Sequence, residues 1–214
     1  MNTVAVIDYG MGNLRSVAKA LEHVSPNAVV QVTNDAAVIA AADRIVLPGV
    51  GALRDAMSEL KRLSLDVLIK QWVSEKPFLG ICLGMQALFD HSEENQGCDG
   101  LGIIAGEVRY FGPRCVQGDA ARRLKVPHMG WSSVNATQDH PLWHGIVGAS
   151  RFYFVHSYYV DPADPTACAG RCDYGGEFCA AVSHGKIFAV QFHPEKSQLL
   201  GLRLLSNFMQ WDGC

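Results

Sequence analysis

Apolar positions follow two different patterns in the two halves of the chain. In the first half, short apolar runs alternate with stretches of helical periodicity. Thr3 to Asp8 is an apolar, β-branched run of the kind buried on both faces of a parallel sheet. Gly10-Met11-Gly12-Asn13 then turns the chain. Leu14, Val17, Ala18 and Leu21 follow at i, i+3, i+4 and i+7, which puts them on one helix face. A strand at Ala28 to Val32 precedes a short helix at Asp35 to Ala41, capped by Asn34 or Asp35. A strand at Arg44 to Leu47 is broken by Pro48-Gly49-Val50-Gly51. Helical patterns cover Ala52 to Leu60 and Leu65 to Val73. A strand at Pro77 to Ile81 leads into a helix over Leu83 to Phe89. This order predicts an α/β fold with a central, mostly parallel sheet flanked by helices on both faces.

The second half predicts additional antiparallel strands. Val108 to Phe111, Ser132 to Ala136, Phe152 to Val160, Phe178 to Ser183 and Ile187 to Phe192 all have strand character. Ser183-His184-Gly185-Lys186 suggests a hairpin between the last two. A closing helix over Gln198 to Met209 takes its apolar face from Leu199, Leu202, Leu205 and Met209. There is no internal repeat or linker, and Asp161 to Ala167 reads as a loop, so residues 1–214 are expected to form one domain.

Composition narrows the function classes. With 214 residues, 49% of them hydrophobic, the chain suits one compact domain. A net charge of -3 gives no electrostatic footprint for nucleic acid. No apolar run approaches the ~20 residues that span a bilayer, and the first residues do not resemble a signal peptide. A cytoplasmic location is expected, with no membrane partner. The 7 cysteines are an odd number, which argues against a disulfide framework. Cys168, Cys172 and Cys179 miss the spacing of structural zinc sites, so free thiols and no metal are expected.

The candidate chemistry starts at Gly80-Ile81-Cys82-Leu83-Gly84, where a strand gives way to a helix. A nucleophile flanked at this spacing by glycines forms a tight elbow that lifts its side chain above the sheet. The helix N-terminus behind it favours thiolate, and the Leu83 N–H is placed to hold an oxyanion. The alternative is a buried, structural cysteine. The Gln191-Phe192-His193-Pro194-Glu195 strand end decides between them. Residues i and i+2 of an extended chain share a side, so Glu195 can orient His193, leaving its other nitrogen to take the Cys82 proton. Pro48-Gly49-Val50-Gly51 is either an ordinary turn or a ligand-approaching one, with the Val50 N–H as second oxyanion donor.

GICLGMQ at 80–86, PGVG at 48–51 and HPE at 193–195 resemble the class I, triad-type glutamine amidotransferases. DYGMGN at 8–13, PHMGW at 127–131, FVHSYY at 154–159 and QFHPEKS at 191–197 resemble, within that family, the subunits that serve histidine biosynthesis. The resemblance implies a flavodoxin-like fold, no cofactor, and hydrolysis of L-glutamine through a Cys82 thioester. It implies glutamine contacts from Gly51, Gln86, His156, Ser157 and Tyr158. It also implies delivery of ammonia to a (β/α)8-barrel cyclase subunit in a heterodimer. Asn13, Trp131 and Lys196 would face that partner; Trp131 could otherwise be a core aromatic and Lys196 a solvated surface residue. VQGDAARR at 116–123 reads as a variable loop. The competing functions are a glutaminase serving aminobenzoate or pyridoxal phosphate synthesis, a non-catalytic scaffold, and a cysteine peptidase or γ-glutamyl hydrolase.

Overall fold

The computed structural model describes residues 2–112, 115 and 124–214, so the loop expected at 116–123 lies outside the described residues. The described residues contain a mixed sheet of 13 strands. Its parallel part is β2 (Val29–Thr33), β1 (Thr3–Ile7), β3 (Arg44–Gly49), β4 (Phe78–Cys82) and β13 (Ile187–Val190), in that spatial order. The sheet continues antiparallel through β12 (Glu177–His184), β10 (Tyr158–Pro162) and β7 (Ile104–Tyr110). It ends at β5 (Phe89–Ser92) and β6 (Cys98–Asp99). A branch leaves β12 through β11 (Cys168–Asp173) and β8 (His128–Ala136) to β9 (Ser150–His156).

The central strands are apolar throughout because both sheet faces are covered. Along β1, Val4 and Val6 enter one hydrophobic cluster while Ala5 and Ile7 enter the other. In β13, Phe188 and Val190 divide from Ile187 and Ala189 in the same way, as the two-residue period of a strand requires. Helices α1 (Leu14–Val24) and α6 (Gln198–Gln210) cover the first face with Val17, Leu21, Leu204 and Phe208. On the second face lie α2 (Ala36–Ala41), α3 (Leu53–Arg62) and α4 (Leu65–Glu75), bringing Ile39, Leu60 and Trp72. Asp35 caps α2, accepting from the Ala37 and Val38 N–H groups.

Four sequence expectations are corrected. The helix after Cys82, α5 (Leu83–Gln86), lasts one turn rather than reaching Phe89. The Ala87 and Leu88 carbonyls accept from Leu101, Ile103 and Ile104 instead of from a further helical turn, and Phe89 is buried at the start of β5. The single strand expected over Phe152 to Val160 is two, β9 and β10, divided at Ser157 because each pairs with a different part of the sheet. In α6 the buried face is Gly201, Leu204, Leu205, Phe208 and Met209, while Leu199 is 81% exposed. Finally, Pro194–Lys196 forms a 3-10 turn rather than extended chain.

Cys168, Cys172 and Cys179 are free thiols buried on β11 and β12. Cys168 and Cys179 lie in one core cluster and Cys172 in the other, so the three do not converge on a common centre.

Candidate active site

Sheet order places the site. The nucleophile strand β4 runs between β3 and β13, with Gly49 opposite Cys82 in one pairing and Val190 opposite Ile81 in the other. The PGVG turn and the HPE segment therefore emerge at the same sheet end as Cys82, on either side of it. Ligands of open parallel sheets bind at these carboxyl ends.

Cys82 has φ 55° and ψ -109°, a sparsely populated conformation for a residue with a side chain. The turn survives because its neighbours lack side chains. A Cβ on Gly84 would run into the Leu47 carbonyl, and one on Gly49 would sit 2.8 Å from the Leu83 Cβ. Because α5 is a single turn, its contribution to the thiolate is confined to the unsatisfied N–H groups at its start, Leu83 among them.

His193 and Glu195 meet as expected, although by another local route. The 3-10 turn folds Glu195 back, and His193 Nδ1 lies 2.8 Å from Glu195 Oε1, with the two side chains 2% and 0% exposed. Ser197, also buried, staples this turn: its hydroxyl donates to the His193 carbonyl at 2.6 Å and accepts from the Tyr153 N–H at 3.0 Å. The His193 N–H donates to the Tyr153 carbonyl. With Nδ1–H held by the carboxylate, Nε2 is left for Cys82. Burial lowers the His193 pKa, but hydrogen bonding and charge from Cys82 and Glu195 outweigh it and raise the pKa to about 9. His193 is thereby set up to carry a proton beside Cys82.

Every residue expected to hold glutamine or the oxyanion lines one cavity of about 320 Å³ with Cys82 and His193. These are Val50, Gly51, Leu83, Gln86, His156, Ser157 and Tyr158. The volume is at the small-molecule end of ligand pockets. A larger hollow of about 700 Å³, beside Trp143 and Trp211, includes no residue of the triad.

Sequence reasoning missed several contributors. Glu94 lines the same cavity, and its carboxylate accepts from the Leu53 N–H at the start of α3. Tyr9, buried under the PGVG turn, donates its hydroxyl to the Pro48 carbonyl at 2.9 Å. Its pKa is raised by burial first and then by the charge of Cys82. Gln191, fully buried, contacts both Cys82 and Gln86. Behind the cavity, His128 Nδ1 donates to His156 Nε2 at 2.9 Å and His156 Nδ1 donates to the Tyr158 carbonyl at 2.7 Å. In the neutral rings that burial favours, that chain fixes both tautomers. Burial lowers the pKa of His128 to about 4, and burial, ahead of the charges of His128 and His193, lowers that of His156 to about 3. Tyr9, His128 and Gln191 lie inside motifs quoted from the sequence, with no role read for them there; Glu94 lies in none.

The three residues expected at a partner surface divide. Trp131 is 36% exposed and packs edge-on against Tyr153, so it is not a core aromatic. Lys196 is exposed, with its ammonium 6.0 Å above the Tyr153 ring. Asn13 is instead half-buried and turns its amide toward the triad, donating to Glu195 Oε1 at 3.4 Å.

Residues 5–211 match the family described as glutamine amidotransferase class-I. The chain belongs to this family, whose members are catalytic amidotransferases of the Cys-His-Glu type. It is 58% identical over 213 residues to the imidazole glycerol phosphate synthase subunit HisH of Pseudomonas putida, covering 100% of this chain and 99% of that one. The protein of the same name from Methylococcus capsulatus is also 58% identical over 213 residues, with 99% and 98% covered. Among solved structures, a glutamine amidotransferase superposes with a TM-score of 0.71 at 17% identity, covering 97% of each chain. PurLQS from Thermotoga maritima gives 0.64 at 17% identity, covering 98% and 96%. At these identities the structures speak for the fold alone.

Proposed function

We propose that the chain is the glutaminase subunit of an imidazole glycerol phosphate synthase. The observation that carries the chemistry is the buried Cys82–His193–Glu195 row opening into a cavity of small-molecule size. The near full-length similarity to subunits of that name supports the pathway.

In this reading Cys82 gives its proton to His193 Nε2, and the thiolate attacks the side-chain amide carbon of glutamine. The N–H groups of Leu83 and Val50 take the oxyanion. His193 returns the proton to the leaving nitrogen, and ammonia departs from a γ-glutamyl thioester. His193 then takes a proton from water, which attacks the thioester and releases glutamate and the thiolate. Glu195 keeps the imidazole in the required tautomer throughout. Glu94 is the acidic group of the cavity and would receive the glutamine ammonium. Ammonia freed into neutral water is protonated and no longer nucleophilic, so it must pass under cover to a partner. We assign that role to a (β/α)8-barrel cyclase subunit, which would form imidazole glycerol phosphate and aminoimidazole carboxamide ribotide.

The test is a coupled assay of the chain mixed with a barrel cyclase. Glutamate release and cyclised product should rise together at one equivalent of partner, and Cys82→Ser should abolish both. Stimulation only by an aminobenzoate or pyridoxal phosphate synthase would sink the pathway assignment.

A further inference from the structure

Gln191 is buried without exposure at the start of the segment after β13, one residue beyond the pairing of Val190 with Ile81. Its side chain contacts two others. Gln86 Nε2 lies 3.0 Å from Gln191 Oε1 and 3.1 Å from the Tyr158 carbonyl oxygen, while Gln191 Nε2 lies 3.6 Å from Cys82 Sγ. The orientation of both amides follows from one fixed point. The Tyr158 carbonyl can only accept, so Gln86 must turn its NH2 group toward it. The same NH2 group reaches Gln191, so the oxygen of Gln191 must face Gln86. That leaves an N–H donor of Gln191 aimed at the sulfur.

We propose that Gln191 is a catalytic residue that hydrogen-bonds the Cys82 sulfur and stabilises its thiolate, held in that pose by Gln86 and the Tyr158 carbonyl. The inference rests on Cys82 being the nucleophile. When the S–H proton moves to His193 Nε2, the electron pair stays on sulfur and the N–H···S contact becomes charge-assisted. In the thioester the sulfur is neutral and the contact weakens. When water attacks and the C–S bond breaks, the thiolate leaves toward the same donor. Gln191 therefore acts at proton transfer and at deacylation. His193 favours the same thiolate through its positive charge; Gln191 does so as a neutral dipole whose effect does not depend on protonation. The other end of the chain is a wall of the cavity, so a ligand seated at Tyr158 bears on the group that holds the nucleophile.

The experiment is the pH dependence of iodoacetamide alkylation at Cys82, read by mass spectrometry of the peptide that contains it. Gln191→Glu keeps the shape and replaces the donor with an oxygen; Gln191→Leu removes both polar atoms. A hydrogen bond to a charged group is among the stronger ones, so its loss disfavours the thiolate. The expected result is a thiolate midpoint raised by about one pH unit or more, with alkylation at least about tenfold slower on the acidic limb. The rate should return to the wild-type plateau at high pH. A wild-type midpoint in a folded variant, or a rate lowered equally at every pH, would overturn the proposal. Should neither variant fold, the wild-type chain decides. The side-chain amide proton of Gln191 should shift in NMR spectra as Cys82 titrates, and a stationary resonance refutes the contact. A wild-type chain that alkylates at Cys82 yet hydrolyses no glutamine with its partner sinks the function proposed above, while the midpoints still decide the role of Gln191.

Discussion

At the scale of single residues, the site is a balance of buried charges. His193 is the clearest case, because burial alone would make its imidazole neutral and the partners reverse that outcome. A histidine whose folded pKa lies near 9 rather than 6.5 adds stability that is fully present below pH 6.5. That stability is lost as pH rises through 9. His128 and His156 act in the opposite sense. With folded values of about 4 and about 3, they add stability above pH 6.5 that is lost as pH falls through those values. Cys82→Ala should therefore lower the His193 pKa markedly and flatten the alkaline limb of the stability curve. NMR titration of the His193 ring checks this, and a value still near 9 in the variant would mean that the thiolate is not its counter-charge. The triad itself was legible in the sequence because its three members sit in short motifs. The contacts of Gln191, Tyr9 and Asn13 were not, since each depends on which strand ends the sheet brings together.

At the scale of elements, the strands that carry the site were also those most readable. β1, β3, β4 and β13 are covered on both faces, so they print as unbroken apolar runs. β5 has no such run: in Phe89–Ser92 only the two ends are buried, and the preceding helical pattern hides it. The face of α6 was misread because its sequence, QLLGLRLLSNFMQ, places leucine on several sides and periodicity alone does not choose among them. The PGVG segment, whose Pro48 and Gly49 extend β3 past the expected break at Leu47, has its own support in the Tyr9 hydroxyl. Tyr9→Phe removes the donor and leaves the Pro48 carbonyl buried without it, at a cost of about 1–3 kcal/mol. We expect a lower melting temperature and a fall in kcat larger than any change in KM, because the turn carries the Val50 oxyanion donor. Unchanged kcat in a folded Tyr9→Phe variant would show that the turn holds its shape without this hydrogen bond.

At the scale of the whole molecule, exposed apolar side chains lie beside the segment that carries His193 and Glu195. Met129, Trp131 and Leu199 are 64%, 36% and 81% exposed, and Trp131 and Leu199 share a hollow with Ser197, the residue that clamps the His193 turn. Lys196 extends from that same turn. Apolar side chains exposed together, with a cation among them, mark a binding surface more often than a solvated one. Its position supports the proposed cyclase contact: a partner seated there would touch the segment that positions His193 and Glu195, and so could set the glutaminase rate from outside the cavity. Trp131→Ala should weaken binding of the barrel subunit by roughly 10- to 30-fold, the effect of losing a central aromatic anchor worth about 2 kcal/mol. Because Trp131 stands at the surface, the melting temperature of the variant should stay near wild type. Glutaminase activity should recover at saturating partner. Val67→Asp, changing a residue 68% exposed on α4 across the sheet, is the matched control and should bind normally. Calorimetric titration of both variants with the partner distinguishes the outcomes. Equal affinity for Trp131→Ala and wild type would place the partner elsewhere, and with it the route by which ammonia leaves Cys82.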